Sequence, residues 1–275
     1  MKRTDKIPPG PAVSAEIEAG KTAAAAARPG AVLLPHPGLS PANGLALYGG
    51  LFAFFHILPA FLNFPVWNKL MVADLFDLTT PFVLSFAVWR VLLAFARGEG
   101  RGWSTAVKGL AFLGVILFVE GHGIHLSANA IHRHLPPFPP SAVERLTDFF
   151  DERLGHILWD SGNLLLGLSI LFQNLSGRGE SRSPWTDPGL LAGAAAYGFT
   201  LFANAVEGQT VIFVLPYSLL LAAALLVARR RGERILSRYP AAVFLFAAET
   251  VALCLFAAWW ILQGGFPEFS AVGWI

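Results

Sequence analysis

Residues 118–134 read FVEGHGIHLSANAIHRH, and residues 148–163 read DFFDERLGHILWDSGN. Both stretches belong to apolar runs, yet together they hold His122, His125, His132, His134 and His156, five of the chain's seven histidines. Glu120, Asp151, Glu152 and Asp160 accompany them. An apolar run of about 20 residues reads as a membrane helix. Ionisable groups in hydrocarbon are costly enough that a cluster of them marks a functional site by default. The two stretches therefore set the fold class, an all-α polytopic membrane bundle, and the place where its chemistry is expected.

Composition agrees. Of 275 residues, 55% are hydrophobic and 14% charged, whereas a soluble domain carries about 25% charged residues. The net charge of +2 is small and the basic residues sit in short blocks beside apolar spans, so no nucleic-acid partner is expected. Membrane lipid is the surrounding partner, and oligomeric state is not legible. The single Cys254 excludes an intrachain disulfide and a thiolate metal cage.

Outward from the central stretches, residues 1–43 are rich in Ala, Pro and Gly and contain no aromatic residue. They read as a flexible cytoplasmic tail rather than a signal peptide, because Lys2 and Arg3 lead into PPGP and not an apolar core. Residues 44–275 read as one transmembrane helical domain with seven spans, at 45–63, 70–96, 105–131, 149–173, 188–206, 209–228 and 240–264. The short link at Glu207-Gly208-Gln209 predicts a tight antiparallel hairpin of spans five and six. Lys and Arg divide fifteen to four between the two sides, with Arg90 inside a span. This places the N-terminus in the cytoplasm and the C-terminus outside, in a membrane expected to be a bacterial inner membrane.

On span three, His122, His125, Asn129 and His132 fall within about 80° of one another at 100° per residue. On span four, Glu152, His156, Trp159 and Asn163 fall within about 60° by the same geometry. With a rise of 1.5 Å per residue, His125, His156, His56 and Asp77 each lie about 10 Å below the same membrane face. Mixed imidazole and carboxylate donors suit zinc or non-haem iron. The expected metal ligands are His122, His125, His156 and Glu152, with zinc preferred. Asp77 or Glu152 is expected to take the proton of a metal-activated water, acting on a lipid-like substrate. His56, Asp74, Asn129, His132, Asp151 and Asn163 are expected to orient ligands or relay protons. Several readings stay open here: His132 and His134 as interfacial histidines, Asp151 as an ordinary acid at a helix N-terminus, and Glu120 and Glu249 as hydrogen-bonding or relay groups.

His132 at the end of one span and Asp151-Glu152 at the start of the next resemble a motif of the membrane hydrolases that include alkaline ceramidases and adiponectin-receptor relatives. That resemblance covers about thirty residues, and implies seven spans and a zinc site near one face. Ala128 stands where the family has a serine, and the last span has no histidine, so His122, His125 and His156 would take the place of the family's last-span pair. Two other function classes fit the same residues. One is a haem or non-haem-iron redox protein, with His125 and His156 as axial ligands. The other is a proton-coupled transporter using Asp74, Asp77, Glu120, His125 and Glu249. Span seven lacks the lysine that a retinal protein requires.

Overall fold

The computed structural model describes residues 39–62, 64–68, 70–97, 102–135 and 142–274; the tail expected at residues 1–43 lies outside them up to residue 38. Among the described residues, seven helical spans are long and apolar enough to cross a membrane. The chain folds as the expected all-α polytopic bundle. Helix α1 (Pro41–Ile57) starts four residues earlier than the apolar run suggests. There the Ser40 hydroxyl accepts the Asn43 N–H at 3.1 Å, and Pro41 takes the first helical position, where its missing N–H costs nothing.

A single helical turn (Leu58–Phe61) and a small antiparallel ribbon, β1 (Pro65–Trp67) with β2 (Leu70–Met71), lead into α2 (Val72–Arg97). Helix α3 (Thr105–His132) is capped by Ser104, whose hydroxyl accepts the Val107 N–H at 3.2 Å. The fourth span is the longest at 34 residues, 142–175, and begins seven residues before the sequence estimate. It consists of α4 (Ala142–Asp148), a wide π-helical segment (Phe149–Gly155) and α5 (His156–Leu175). The remaining spans are α6 (Pro188–Glu207), α7 (Val211–Arg230) and, after a single turn α8 (Ile235–Arg238), α9 (Pro240–Gln263).

Close helix packing comes from small residues, which let backbones approach. The most extensive pairing is α3 against α5. A methyl group on Gly121 would overlap the backbone of Gly155 and Trp159, and one on Gly162 would overlap Phe118. Packing of α6 follows the same logic: Gly193 lies against Ala46 of α1, and Gly198 against Ala248 of α9. Those contacts correct the hairpin expectation. The α6–α7 link is short, but α6 spends its packing faces on α1 and α9, and α7 packs chiefly on α9. Tyr48, Phe52, Phe118, Tyr197, Phe244 and Phe256 fill the interior, while Phe82, Phe112, Ile212, Leu220 and Ile261 face outward, as a lipid-solvated surface requires.

Candidate functional site

The first turn of α2, the last turns of α3 and the π-helical segment meet at one end of the bundle. His125 on α3 is the centre of the meeting. Its Nδ1 lies 2.8 Å from Asp151 Oδ1, and its Nε2 lies 3.9 Å from Asp77 Oδ2. Asp151 is buried, while His125 and Asp77 keep 15% and 17% of their side-chain surface exposed. The Nδ1 contact that has hydrogen-bond geometry runs to the Asp151 main-chain carbonyl at 3.4 Å, and the nearby Oδ1 has no hydrogen-bond partner among the described residues.

The π-helical segment explains why Asp151 is the partner. In a regular α-helix Asp151 points about 100° away from Glu152. The i→i+5 pairing of a π-helix is wider, and such segments occur mostly as short insertions inside α-helices, frequently at functional sites. Here the segment turns Asp151 into the α3 interface, and Glu152 faces outward with 45% of its side chain exposed. Glu152 Oε2 stands 4.0 Å from His156 Nε2, beyond a direct hydrogen bond. Asp151 is therefore not a bystander at a helix start.

The other predicted histidines gather around an aromatic ring. Trp159 stacks on His122 (centroids 4.3 Å, 21°) and on His156 (4.6 Å, 26°), with His56 at 4.9 Å and His125 at 5.8 Å. Nδ1 of His56 lies 2.8 Å from the Phe52 carbonyl, and Nδ1 of His122 lies 2.9 Å from that of Phe118. A carbonyl oxygen only accepts, so both Nδ1 atoms carry the proton. The buried Nε2 atoms are then lone-pair acceptors, without a hydrogen-bond partner among the described residues.

Zinc needs four donors at about 2.0–2.3 Å. Among the described residues no group of three or more His, Cys, Asp or Glu side chains is arranged to hold a metal ion. The indole occupies the middle of the histidine set, and His125 is already engaged by Asp151. The expected quartet of His122, His125, His156 and Glu152 does not fit a zinc cage in this arrangement. Nor do His125 and His156, whose rings meet edge to face at 5.0 Å, leave room for a haem between them.

The remaining expected residues divide between this site and other networks. Asp74 forms a two-pronged ion pair with Arg133, one prong Nη1 to Oδ2 at 2.6 Å and the other Nη2 to Oδ1. Asp74 also accepts the Met71 N–H at 2.7 Å. Asn129 accepts from Arg133 Nε at 3.4 Å. Hydrogen bonding to Asp74 raises the Arg133 pKa further above its ordinary value. His132 ends α3, half-buried, outside the ring and ion contacts just described. Asn163 lies deeper, accepting from Tyr48 at 3.0 Å and donating to Tyr197 at 2.8 Å. Asp160 accepts a hydrogen bond from Thr210. Glu249 is buried in α9, away from His125 in sequence and site. Glu120 is exposed and lines a lateral groove of about 520 Å³ between α3 and the fourth span, with Gly123, Ser127, Leu146 and Phe150. Sequence reasoning assigned no role to Arg133 or Trp159. Only the placement of Trp159 on the Glu152–His156 stripe hinted at its position.

No protein-family model matches the chain, and no solved structure matches it. The chain is similar to human ceroid-lipofuscinosis neuronal protein 6, at 26% identity over 230 residues, covering 73% of this chain and 68% of that protein. This chain, with its seven apolar spans, is an integral membrane protein. The comparisons add no reaction, and the short alkaline-ceramidase motif finds no counterpart in them.

Proposed function

We propose that this protein is a membrane-embedded enzyme that hydrolyses an ester or amide of a lipid-like substrate, with His125 as its general base and acid. One observation carries the reading: a partly accessible imidazole within the bundle has one nitrogen against a buried carboxylate and the other facing a second carboxylate across 3.9 Å. Intramembrane ionisable groups are expensive to keep. Nδ1–H directed at the Asp151 carbonyl leaves Nε2 as the basic atom, and the Asp151 carboxylate 2.8 Å from the ring favours the imidazolium once it forms. A separation of 3.9 Å is too long for a direct hydrogen bond and suits a reactant O–H between Nε2 and Asp77.

In this scheme His125 Nε2 removes a proton from water as the water oxygen bonds to the substrate carbonyl carbon. The bond to the leaving oxygen or nitrogen then breaks, and that atom takes the proton back from the imidazolium. The products are a carboxylic acid and an alcohol or amine. Asp77 orients the water, and Glu152, with 45% of its side chain exposed, exchanges protons with solvent.

The test uses purified protein in lipid nanodiscs incubated with a total lipid extract, with mass spectrometry of released acids and lyso-lipids. Wild type is expected to convert at least one lipid class. His125→Ala should slow it on the order of 10²–10⁴-fold, the usual range for general acid–base catalysis, and Asp151→Asn should also slow it. Chelator should leave the rate unchanged. No conversion by wild type, or equal rates in His125→Ala, overturns the reading.

A further inference from the structure

The ion pair between Asp74 and Arg133 lies beside the reacting groups but touches none of them. Asp74 sits in the first turn of α2 with 1% of its surface exposed. Arg133 is the first residue beyond α3. The guanidinium grips both carboxylate oxygens, and Oδ2 is also held by the Met71 N–H at 2.7 Å. Arg133 in turn rests on Asn129, one turn back along α3, through its Nε at 3.4 Å. Such a fork fixes direction as well as distance, because both N–H groups and both oxygens lie in one plane. It pins the start of α2 to the end of α3.

That pin sets the site. Asp77 is three residues after Asp74, one turn along α2, and His125 is eight residues before Arg133, about 12 Å along α3. A shift of either helix end is carried to the space between Asp77 Oδ2 and His125 Nε2, which is 3.9 Å. Charge is apportioned by the same contact. The carboxylates of Asp74, Asp77 and Asp151 stand around two groups, the Arg133 guanidinium and the His125 imidazole. Arg133 lies against Asp74, and His125 lies against Asp151 and Asp77.

We infer that Arg133 and Asp74 act as a positioning pair that sets the Asp77–His125 gap. The inference rests on the reading of His125 as the reacting base. Neither residue touches the reactant.

Removing one partner alone is a poor test, since it strands a buried charge and can unfold the protein. The informative variant is Asp74→Asn with Arg133→Gln, which removes both charges, keeps the size of the Asp74 side chain and leaves a shorter polar side chain at 133. Three measurements are made on wild type, the double variant and Arg133→Lys in nanodiscs. They are thermal unfolding, solid-state NMR contacts between labelled His and Asp side chains, and the lipid-conversion rate resolved into kcat and KM. The double variant is expected to stay folded but to lose the His125–Asp77 contact, with kcat falling on the order of 10²-fold and KM little changed. Arg133→Lys, which restores charge without the planar fork, should recover folding fully and kcat in part.

A double variant that keeps both the NMR contact and the wild-type kcat overturns the inference and leaves the pair a structural tie. If wild type converts no lipid, the enzymatic reading fails while the NMR contact still decides whether the pair positions Asp77. An unchanged contact then overturns the positioning role by itself.

Discussion

Trp159 organises the site as much as the histidines do. Four imidazoles lie with ring centroids 4.3–5.8 Å from its indole, which is itself 6% exposed. Without it, His122 and His156 have nothing to stack on, and the space fills only if helices from three spans move. Truncation of a buried aromatic to alanine costs about 3–5 kcal/mol in well-packed proteins. Trp159→Ala should therefore lower the unfolding free energy by about that amount in detergent or nanodisc titrations. Trp159→Phe, which keeps a stacking face, should cost less than half as much, and Trp67→Ala, at 78% exposure, should be near neutral. Equal effects at positions 159 and 67 would show that the indole is not the packing centre.

At the level of helices, the seven spans and most of the polar layer were readable because length, apolar content and the 100° period are local properties of the sequence. His125, Asp77, His56 and His156 do come to one end of the bundle, as their depths implied. The pairing inside that layer was not readable. Asp151 and Glu152 are adjacent, and the choice between them turns on a π-helical segment at Phe149–Gly155 that no residue pattern announces. Likewise, the indole fills the space assigned to an ion, since helical arcs record direction but not what occupies the middle.

The α3–α5 contact is a sharper test of element packing. Gly121 faces the backbone of Gly155 and Trp159, whereas two residues on, Gly123 has nothing within 4 Å of where a Cβ would stand. Gly121→Ala should destabilise by about 1–3 kcal/mol through overpacking. Gly123→Ala, at a helical position with open space, should be neutral or slightly stabilising. The comparison is read from unfolding midpoints in one detergent. Equal midpoints for the two variants would refute the close approach.

Across the whole molecule, the end of α1, the start of α2, the end of α3 and the start of the fourth span meet beside His125. That same end also receives the end of α6 and the end of α9. There the Glu207 carboxylate accepts the Phe269 N–H at 2.8 Å, and Trp259 donates to the Pro267 carbonyl at 3.1 Å, so the segment after α9 is tied down rather than trailing. Arg133, Arg145 and Arg153 are at this end, against Arg97, Lys108, Arg178, Arg182, Arg229, Arg230, Arg231, Arg234 and Arg238 at the other. Positive charge is retained on the cytoplasmic side, so the histidine end should face away from the cytoplasm and receive substrate from the opposite leaflet. Single cysteines in a Cys254→Ser background decide this with a membrane-impermeant thiol reagent on intact cells. Ser270→Cys, beside the Glu207 contact, is expected to label, and Ser183→Cys, between Arg182 and α6, should label only after the membrane is opened. The reverse pattern would turn the bundle over and place the Asp77–His125 gap on the cytoplasmic face, where a different pool of lipid would reach it.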